Sequence, residues 1–258
     1  MLGARLATLA IMSDVQFLEV DHRRIAYRHA AGRGPALVFL PGYMSDMDGG
    51  KATALFDHLS AQGRACLLLD YSGCGRSEGD FADGTLSRWR DEVMALIEAK
   101  LEGPVVLAGS SMGGWLMLLV GEALGDRLAG MVGIASAPDF TAWGYDDAQK
   151  AKLTAGETVF EESDYGYDPM PTHAGFWRDG ETLKRLERGV AVTCPVRLLH
   201  GQADSDVPHE ISLRLAGALH SEDVQVVLVK AGDHRLSREH DIALLKRTVD
   251  QLYEDIAR

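Results

Sequence analysis

The chain has 258 residues, 46 % hydrophobic and 25 % charged, and its 26 Lys plus Arg against 38 Asp plus Glu leave a net charge of −12. Such a composition builds a folded core and excludes disorder as the main state. An acidic chain repels phosphate backbones, so nucleic acid is not an expected partner.

The first residues, 1–12, hold one basic side chain, Arg5, and an apolar run too short for a secretory signal. They are expected to form an extension ahead of the fold, with Met12 as an alternative start. Val15–Val20 and Arg24–Arg28 alternate in polarity and predict an exposed hairpin. Six short apolar runs follow: Ala36–Leu40, Ala65–Leu69, Val105–Ala108, Met131–Ala135, Val196–His200 and Val224–Val229. Runs of this kind predict strands buried on both faces. Amphipathic stretches separate them and predict helices over Ala52–Ala61, Leu86–Leu101, Met112–Leu124, His209–Ala218 and Arg238–Ile256. This alternation predicts an α/β fold, a mostly parallel eight-stranded sheet with helices on both faces.

One segment breaks the rhythm. Asp139 to Val190 contains no convincing strand, but it carries Trp143, Tyr145, Phe160, Tyr165, Tyr167, Phe176 and Trp177. It is far longer than an ordinary connection and reads as a small helical lid insertion. From Asp139 to Arg188 it holds 11 acidic and 6 basic residues, a net charge of −5. The expected division is therefore residues 13–138 and 191–258 as the core, with 139–190 as the lid. No apolar run is long enough to span a membrane, so stable membrane insertion is not expected. Cys66, Cys74 and Cys194 are too few and too far apart for a disulfide framework or a Cys-rich zinc site. They fit a reducing compartment, and the cytoplasm is the expected location.

The Val105–Ala108 run leads into Gly109-Ser110-Ser111-Met112-Gly113-Gly114 and then a helical pattern. This is G-x-S-x-G at a strand–turn–helix junction, where the turn is so tight that only glycine fits on either side. Ser111 is the expected nucleophile; Ser110 lacks the flanking glycine register. The N–H of Met112, at the start of the helix, points where a substrate oxyanion would form. The loop Pro41-Gly42-Tyr43-Met44 after the Ala36–Leu40 run faces the same turn, and the N–H of Tyr43 is the expected second donor.

A serine hydroxyl needs a general base. Of nine histidines, His234 stands in the loop between the last strand and the last helix, at the nucleophile's end of the sheet. His200, at a strand end, reads as structural. The orienting acid is expected from the loop after the preceding strand, which offers Asp204 and Asp206. Asp204 is preferred, Asp206 would hold the loop or meet solvent, and Asp139 is a minority option. The chain order Ser111, Asp204, His234 is the one such sheets use.

These residues resemble the α/β-hydrolase superfamily from Val15 onward. Within it, the runs Leu40-Pro41-Gly42-Tyr43, Asp70 to Ser77, Gly109 to Met117, Arg197 to Gly201 and Asp233-His234-Arg235 are similar to the ABHD10 group of serine hydrolases. That resemblance implies a palmitoyl-protein thioesterase or acyl-glucuronide esterase activity, with the triad on Ser111, Asp204 and His234 and with no cofactor or metal. The expected reaction is hydrolysis of a carboxylic ester or thioester with an apolar acyl group. Met44, Met47 and Met112 are candidates to line an adaptable acyl slot. Arg76 and Arg178 are the residues that would draw the carboxylate of a glucuronide. Alternatives are a general small-ester carboxylesterase and a catalytically silent binding protein on the same fold. A dehalogenase would carry Asp in place of Ser111. Perhydrolysis or carbon–carbon hydrolysis would use the same triad.

Overall fold

The computed structural model describes residues 14–161 and 169–258. The expected extension over residues 1–12, and Tyr165 and Tyr167 of the insertion, lie outside them. In chain order the first elements are β1 (Gln16–Val20), β2 (Arg23–Ala30), β3 (Arg33–Leu40), α1 (Gly50–Ala61), β4 (Arg64–Leu69), α2 (Leu86–Lys100), β5 (Val105–Ser110), α3 (Met112–Leu124) and β6 (Leu128–Ile134). The insertion follows with α4 (Phe140–Trp143), α5 (Asp147–Ala155), β7 (Val159–Glu161), β8 (Met170–Thr172) and α6 (Ala174–Thr182). The chain then returns through β9 (Val196–Gly201), α7 (Glu210–Ala218), β10 (Val224–Val229) and α8 (Glu239–Ile256).

Eight strands form one sheet in the order β1-β2-β4-β3-β5-β6-β9-β10. β2 pairs antiparallel with both neighbours, and every other pairing is parallel. The central strands are apolar over most of their length because both faces are covered. Val38 and Leu40 of β3, Leu67 and Leu69 of β4, and Val105 and Leu107 of β5 pack on the face roofed by Trp89 and Leu96 of α2, Trp115 of α3 and Leu215 of α7. Their alternates, Leu37, Phe39, Cys66, Leu68, Val106 and Ala108, pack on the other face with Leu55 and Leu59 of α1 and Leu245 and Leu252 of α8. The two-residue period of a strand thus feeds two cores at once. α3 is apolar almost all round, with 11 of its residues buried against the sheet, α2 and the insertion.

Three local expectations need correction. β2 is not exposed: Ile25, Ala26 and Tyr27 are buried, because β2 lies between β1 and β4. β10 is not covered on both faces, since it is an edge strand in which Gln225 and Val227 are exposed and the other residues only part-buried. The insertion does contain strands: β7 and β8 form an antiparallel pair with Val159 opposite Thr172 and Phe160 opposite Pro171.

The insertion's aromatic residues divide by role. Phe176 and Tyr145 are buried, and Phe160 is exposed. Phe140 stacks on Phe176 at 5.6 Å and meets Trp115 edge-on at 5.7 Å. The indole N–H of Trp115 donates to the carbonyl of Leu183. These contacts seat the insertion on α3, the helix that begins at Ser111. Met47 is fully buried in the α1–α8 core, not in a slot, because its backbone N–H donates to the buried carboxylate of Asp70 and turns the chain inward.

Candidate active site

Parallel register brings the ends of β3, β5, β9 and β10 to one edge. Leu40 is opposite Gly109, Ile134 opposite Leu199, and Val229 opposite Gly201. The loops that leave these strands therefore meet above the sheet, where open parallel sheets place ligands.

Ser111 occupies the turn between β5 and α3 at φ 54°, ψ −122°. A non-glycine residue in that region carries strain of order 1–3 kcal/mol. Its surroundings hold it there: its N–H donates to Ile134 O at 2.9 Å, and its carbonyl accepts from the N–H groups of Gly114 and Ala137. A Cβ on Gly109 would overlap the backbone of Gly113, and a Cβ on Gly113 would overlap the carbonyls of Leu40 and Pro41. Ser110 ends β5 and is buried.

The Ser111 hydroxyl lies 3.0 Å from Nε2 of His234. Nδ1 of His234 lies 2.8 Å from Oδ2 of Asp204. The loops carrying these two groups touch at Gly201, where a Cβ would overlap the backbone of Gly232 and Asp233. The Asp204 side chain is buried, whereas that of His234 is 16 % exposed, so the imidazole can exchange protons with solvent more readily than the carboxylate. Burial by itself would push the Asp204 carboxyl up. Hydrogen bonds from His200 and His234 outweigh it and hold the carboxyl well below the usual aspartate range. Oδ1 of Asp204 is occupied by the N–H groups of Asp206 at 2.9 Å and Val207 at 2.8 Å.

Asp206 reaches this network only through its backbone. Asp139 is elsewhere: its carboxylate accepts the N–H groups of Arg185 and Leu186 and closes the base of the insertion. His200, a structural residue on the sequence's reading, is fully buried, and its Nε2 lies 3.2 Å from Oδ2 of Asp204. The residue signal that pointed to it was a histidine four positions before the acid, at the end of an otherwise apolar strand.

Gly42 packs against the Ser111 side chain, so the loop carrying Tyr43 lies beside that hydroxyl. The Tyr43 hydroxyl donates to Pro171 O of β8 at 2.9 Å, and its ring meets Phe81 at 5.0 Å and Phe176 at 4.9 Å. Met112 opens α3, where the first N–H groups have no partner within the helix. Lys51 of α1 donates to the carbonyl of Arg235 and braces the loop of His234. Burial lowers the Lys51 ammonium to about 8. Among the described residues no cluster of three or more His, Cys, Asp or Glu could hold a metal ion.

An eight-stranded sheet of this order, with a strained serine after β5, an aspartate after β9 and a histidine after β10, defines the class of α/β hydrolases. The sequence matches the alpha/beta hydrolase family over residues 37–247, and the chain belongs to that family. It is a hydrolase, and the bonds such a serine cleaves are esters and thioesters. A protein of Mus musculus named palmitoyl-protein thioesterase ABHD10, mitochondrial, is 38 % identical over 239 residues, 90 % of this chain and 80 % of that one. The solved structure of alpha/beta hydrolase domain-containing protein 10 from mouse is similar at TM-score 0.88 and 36 % identity, covering 95 % of this chain and 100 % of that chain. A putative hydrolase from Agrobacterium vitis S4 is similar at TM-score 0.87 and 35 % identity, covering 93 % and 98 %. No helix among the described residues is long and apolar enough to cross a membrane.

Proposed function

We propose that the protein is a serine hydrolase that removes an apolar acyl group from a thioester or ester, in the manner that the name palmitoyl-protein thioesterase implies for its mouse relative. Ser111 is the nucleophile, His234 the general base, Asp204 the orienting acid, and the N–H groups of Met112 and Tyr43 the oxyanion donors. Residues 139–190 are the lid on the core formed by 13–138 and 191–258. The single observation that carries this reading is the unbroken line from Ser111 Oγ to His234 Nε2 at 3.0 Å and from His234 Nδ1 to Asp204 Oδ2 at 2.8 Å.

The chemistry follows from that line. His234 bears its proton on Nδ1, facing the carboxylate, so Nε2 accepts the Ser111 proton as Oγ attacks the acyl carbonyl. The two N–H groups carry the negative charge of the tetrahedral oxygen, each contributing about 3 kcal/mol in comparable sites. Nε2 then returns its proton to the departing thiol or alcohol, which leaves an acyl-serine. Water repeats the sequence: Nε2 takes its proton, the hydroxide attacks, and Ser111 leaves with the proton restored.

A neutral acyl group suits the surroundings better than a glucuronide. Arg76 is paired with Asp48, and the insertion's net charge of −5 between Asp139 and Arg188 disfavours an anionic substrate. Three unpaired cysteines agree with a reducing compartment, which we take to be the cytoplasm.

The test is covalent labelling with a fluorophosphonate probe, followed by hydrolysis of p-nitrophenyl esters of increasing chain length against an acyl thioester. The wild type labels, Ser111→Ala does not, and rates rise with acyl length. A folded wild type that fails to label defeats the reading in favour of a silent binding protein. A flat response to chain length defeats the apolar acyl site alone.

A further inference from the structure

Asp204 holds two imidazoles at once. On Oδ2, Nδ1 of His234 lies at 2.8 Å and Nε2 of His200 at 3.2 Å. Nε2 of His200 also lies 3.0 Å from the carbonyl of Val207, and its Nδ1 lies 2.6 Å from the hydroxyl of Ser212 in α7. His200 is 0 % exposed and Ser212 1 %. An imidazole buried so completely at a strand end needs a reason, because burial of a polar ring is costly unless its nitrogens are matched.

The partners fix its proton. A carboxylate and a carbonyl face Nε2, and both only accept; a hydroxyl, which can donate, faces Nδ1. His200 therefore carries its proton on Nε2 and shares it between the Val207 carbonyl at 3.0 Å and Oδ2 of Asp204 at 3.2 Å, while the Ser212 hydroxyl donates to Nδ1. Donation into Nδ1 polarises the ring and makes Nε2–H a better donor, as in any chain of hydrogen bonds in a dry interior.

We propose that His200, held by Ser212, is a positioning residue of the catalytic triad: by sharing Oδ2 with His234 it sets how much of the Asp204 charge reaches the base. This rests on the reading of Ser111, His234 and Asp204 given above. A carboxylate oxygen that accepts two N–H groups has less charge for each than one that accepts a single N–H. With His200 in place, Asp204 holds the His234 ring firmly in orientation but stabilises its protonated form only in part. The imidazolium formed during attack then gives up its proton to the leaving group more readily. The depressed carboxyl of Asp204, with His200 as the first of its hydrogen-bond partners, is in keeping with this geometry.

Removing the His200 donor hands all of Oδ2 to His234. The His234 Nδ1–H bond strengthens, and the base takes up a proton at higher pH. Other charged groups surround the base. Asp233 precedes it and accepts the N–H of Leu236; Arg235 follows it, with Lys51 from α1 on its carbonyl; Arg238 and Asp241 pair at the start of α8. Asp206 flanks the acid, and His209 and Glu210 pair at the entry to α7. All of these remain in every variant below, so none accounts for a difference between variants.

The experiment compares wild type, His200→Leu, His200→Gln and Ser212→Ala. Two quantities are read: the proton NMR resonance of the hydrogen on His234 Nδ1, with no substrate present, and the acid limb of the kcat/KM profile for a p-nitrophenyl ester. In His200→Leu the resonance moves downfield and the acid limb moves up by roughly half a pH unit to one unit. His200→Gln, whose amide restores a donor, returns both toward wild type. Ser212→Ala moves both in the same direction by less, and it decides the matter if His200→Leu does not fold. Unchanged resonance and unchanged limb in folded His200→Leu or, in its place, Ser212→Ala overturn the proposal, as does a limb that moves to lower pH. A wild type that shows these resonances but never labels with fluorophosphonate instead overturns the reading of the enzyme.

Discussion

Asp204→Asn is the sharpest test of the site because the structure fixes how the new amide must sit. Oδ1 of Asp204 accepts two backbone N–H groups, from Asp206 and Val207. The amide carbonyl of asparagine must take that position, which forces its NH2 onto the place of Oδ2. There it meets Nδ1 of His234 and Nε2 of His200, both donors to the carboxylate in the wild type. To avoid donor against donor, His234 moves its proton to Nε2 and points it at Ser111 Oγ, where it cannot accept the serine proton. In the serine protease triad the same wrong tautomer costs about 10⁴-fold in turnover, or about 5.4 kcal/mol of barrier. Asp206→Asn leaves its backbone N–H in place and should stay within about threefold of wild type, a fraction of 1 kcal/mol. Steady-state hydrolysis of a p-nitrophenyl ester, with a melting curve for each variant, measures both. A folded Asp204→Asn protein within tenfold of wild type, or an equal loss in Asp206→Asn, would refute the assignment.

Three more outcomes are expected. Phe176 is 1 % exposed and packs on Tyr43, Trp89 and Phe140, so Phe176→Ala should cost about 3–5 kcal/mol by denaturant unfolding; a loss under about 1 kcal/mol would mean that the site collapses freely. Gly113→Ala places a methyl group into the carbonyls of Leu40 and Pro41 and should abolish probe labelling, and labelling at the wild-type rate would show that the turn has room to relax. The folded state holds the Asp204 carboxyl below its unfolded range, so it binds fewer protons there than the unfolded chain. The stability this supplies is present above the ordinary aspartate range and is lost as pH falls through the folded value. The gap in melting temperature between wild type and Asp204→Asn should therefore narrow from pH 7 toward pH 3, and a constant gap would contradict it.

The sequence announced the central strands because they are short runs rich in Val, Leu and Ile, a pattern that double-sided burial favours, although the edge strand β10 carries such a run too. It announced Ser111, Asp204 and His234 because each follows a strand whose register aims it at one edge. It concealed β7 and β8, which are three residues each, too short to display a period, and Pro171 in β8 reads as a breaker. It misplaced Met47, whose inward turn depends on Asp70, 23 positions away. It read His200 as structural and left its partners hidden, since a lone histidine at a strand end discloses nothing about what it faces. What escaped in each case is a contact between residues distant in sequence or a residue whose partners lie on another element.

The carboxylate of Asp139 ties the exit of the insertion to its entrance, through the N–H groups of Arg185 and Leu186. Everything between therefore leaves and rejoins the sheet at a single knot. Closing a loop grows costlier only slowly with its length, about 0.6 kcal/mol for each doubling. Such a root lets evolution, or an engineer, splice in a longer, shorter or differently coloured segment without shifting the strand ends beneath it or the turn that holds Ser111.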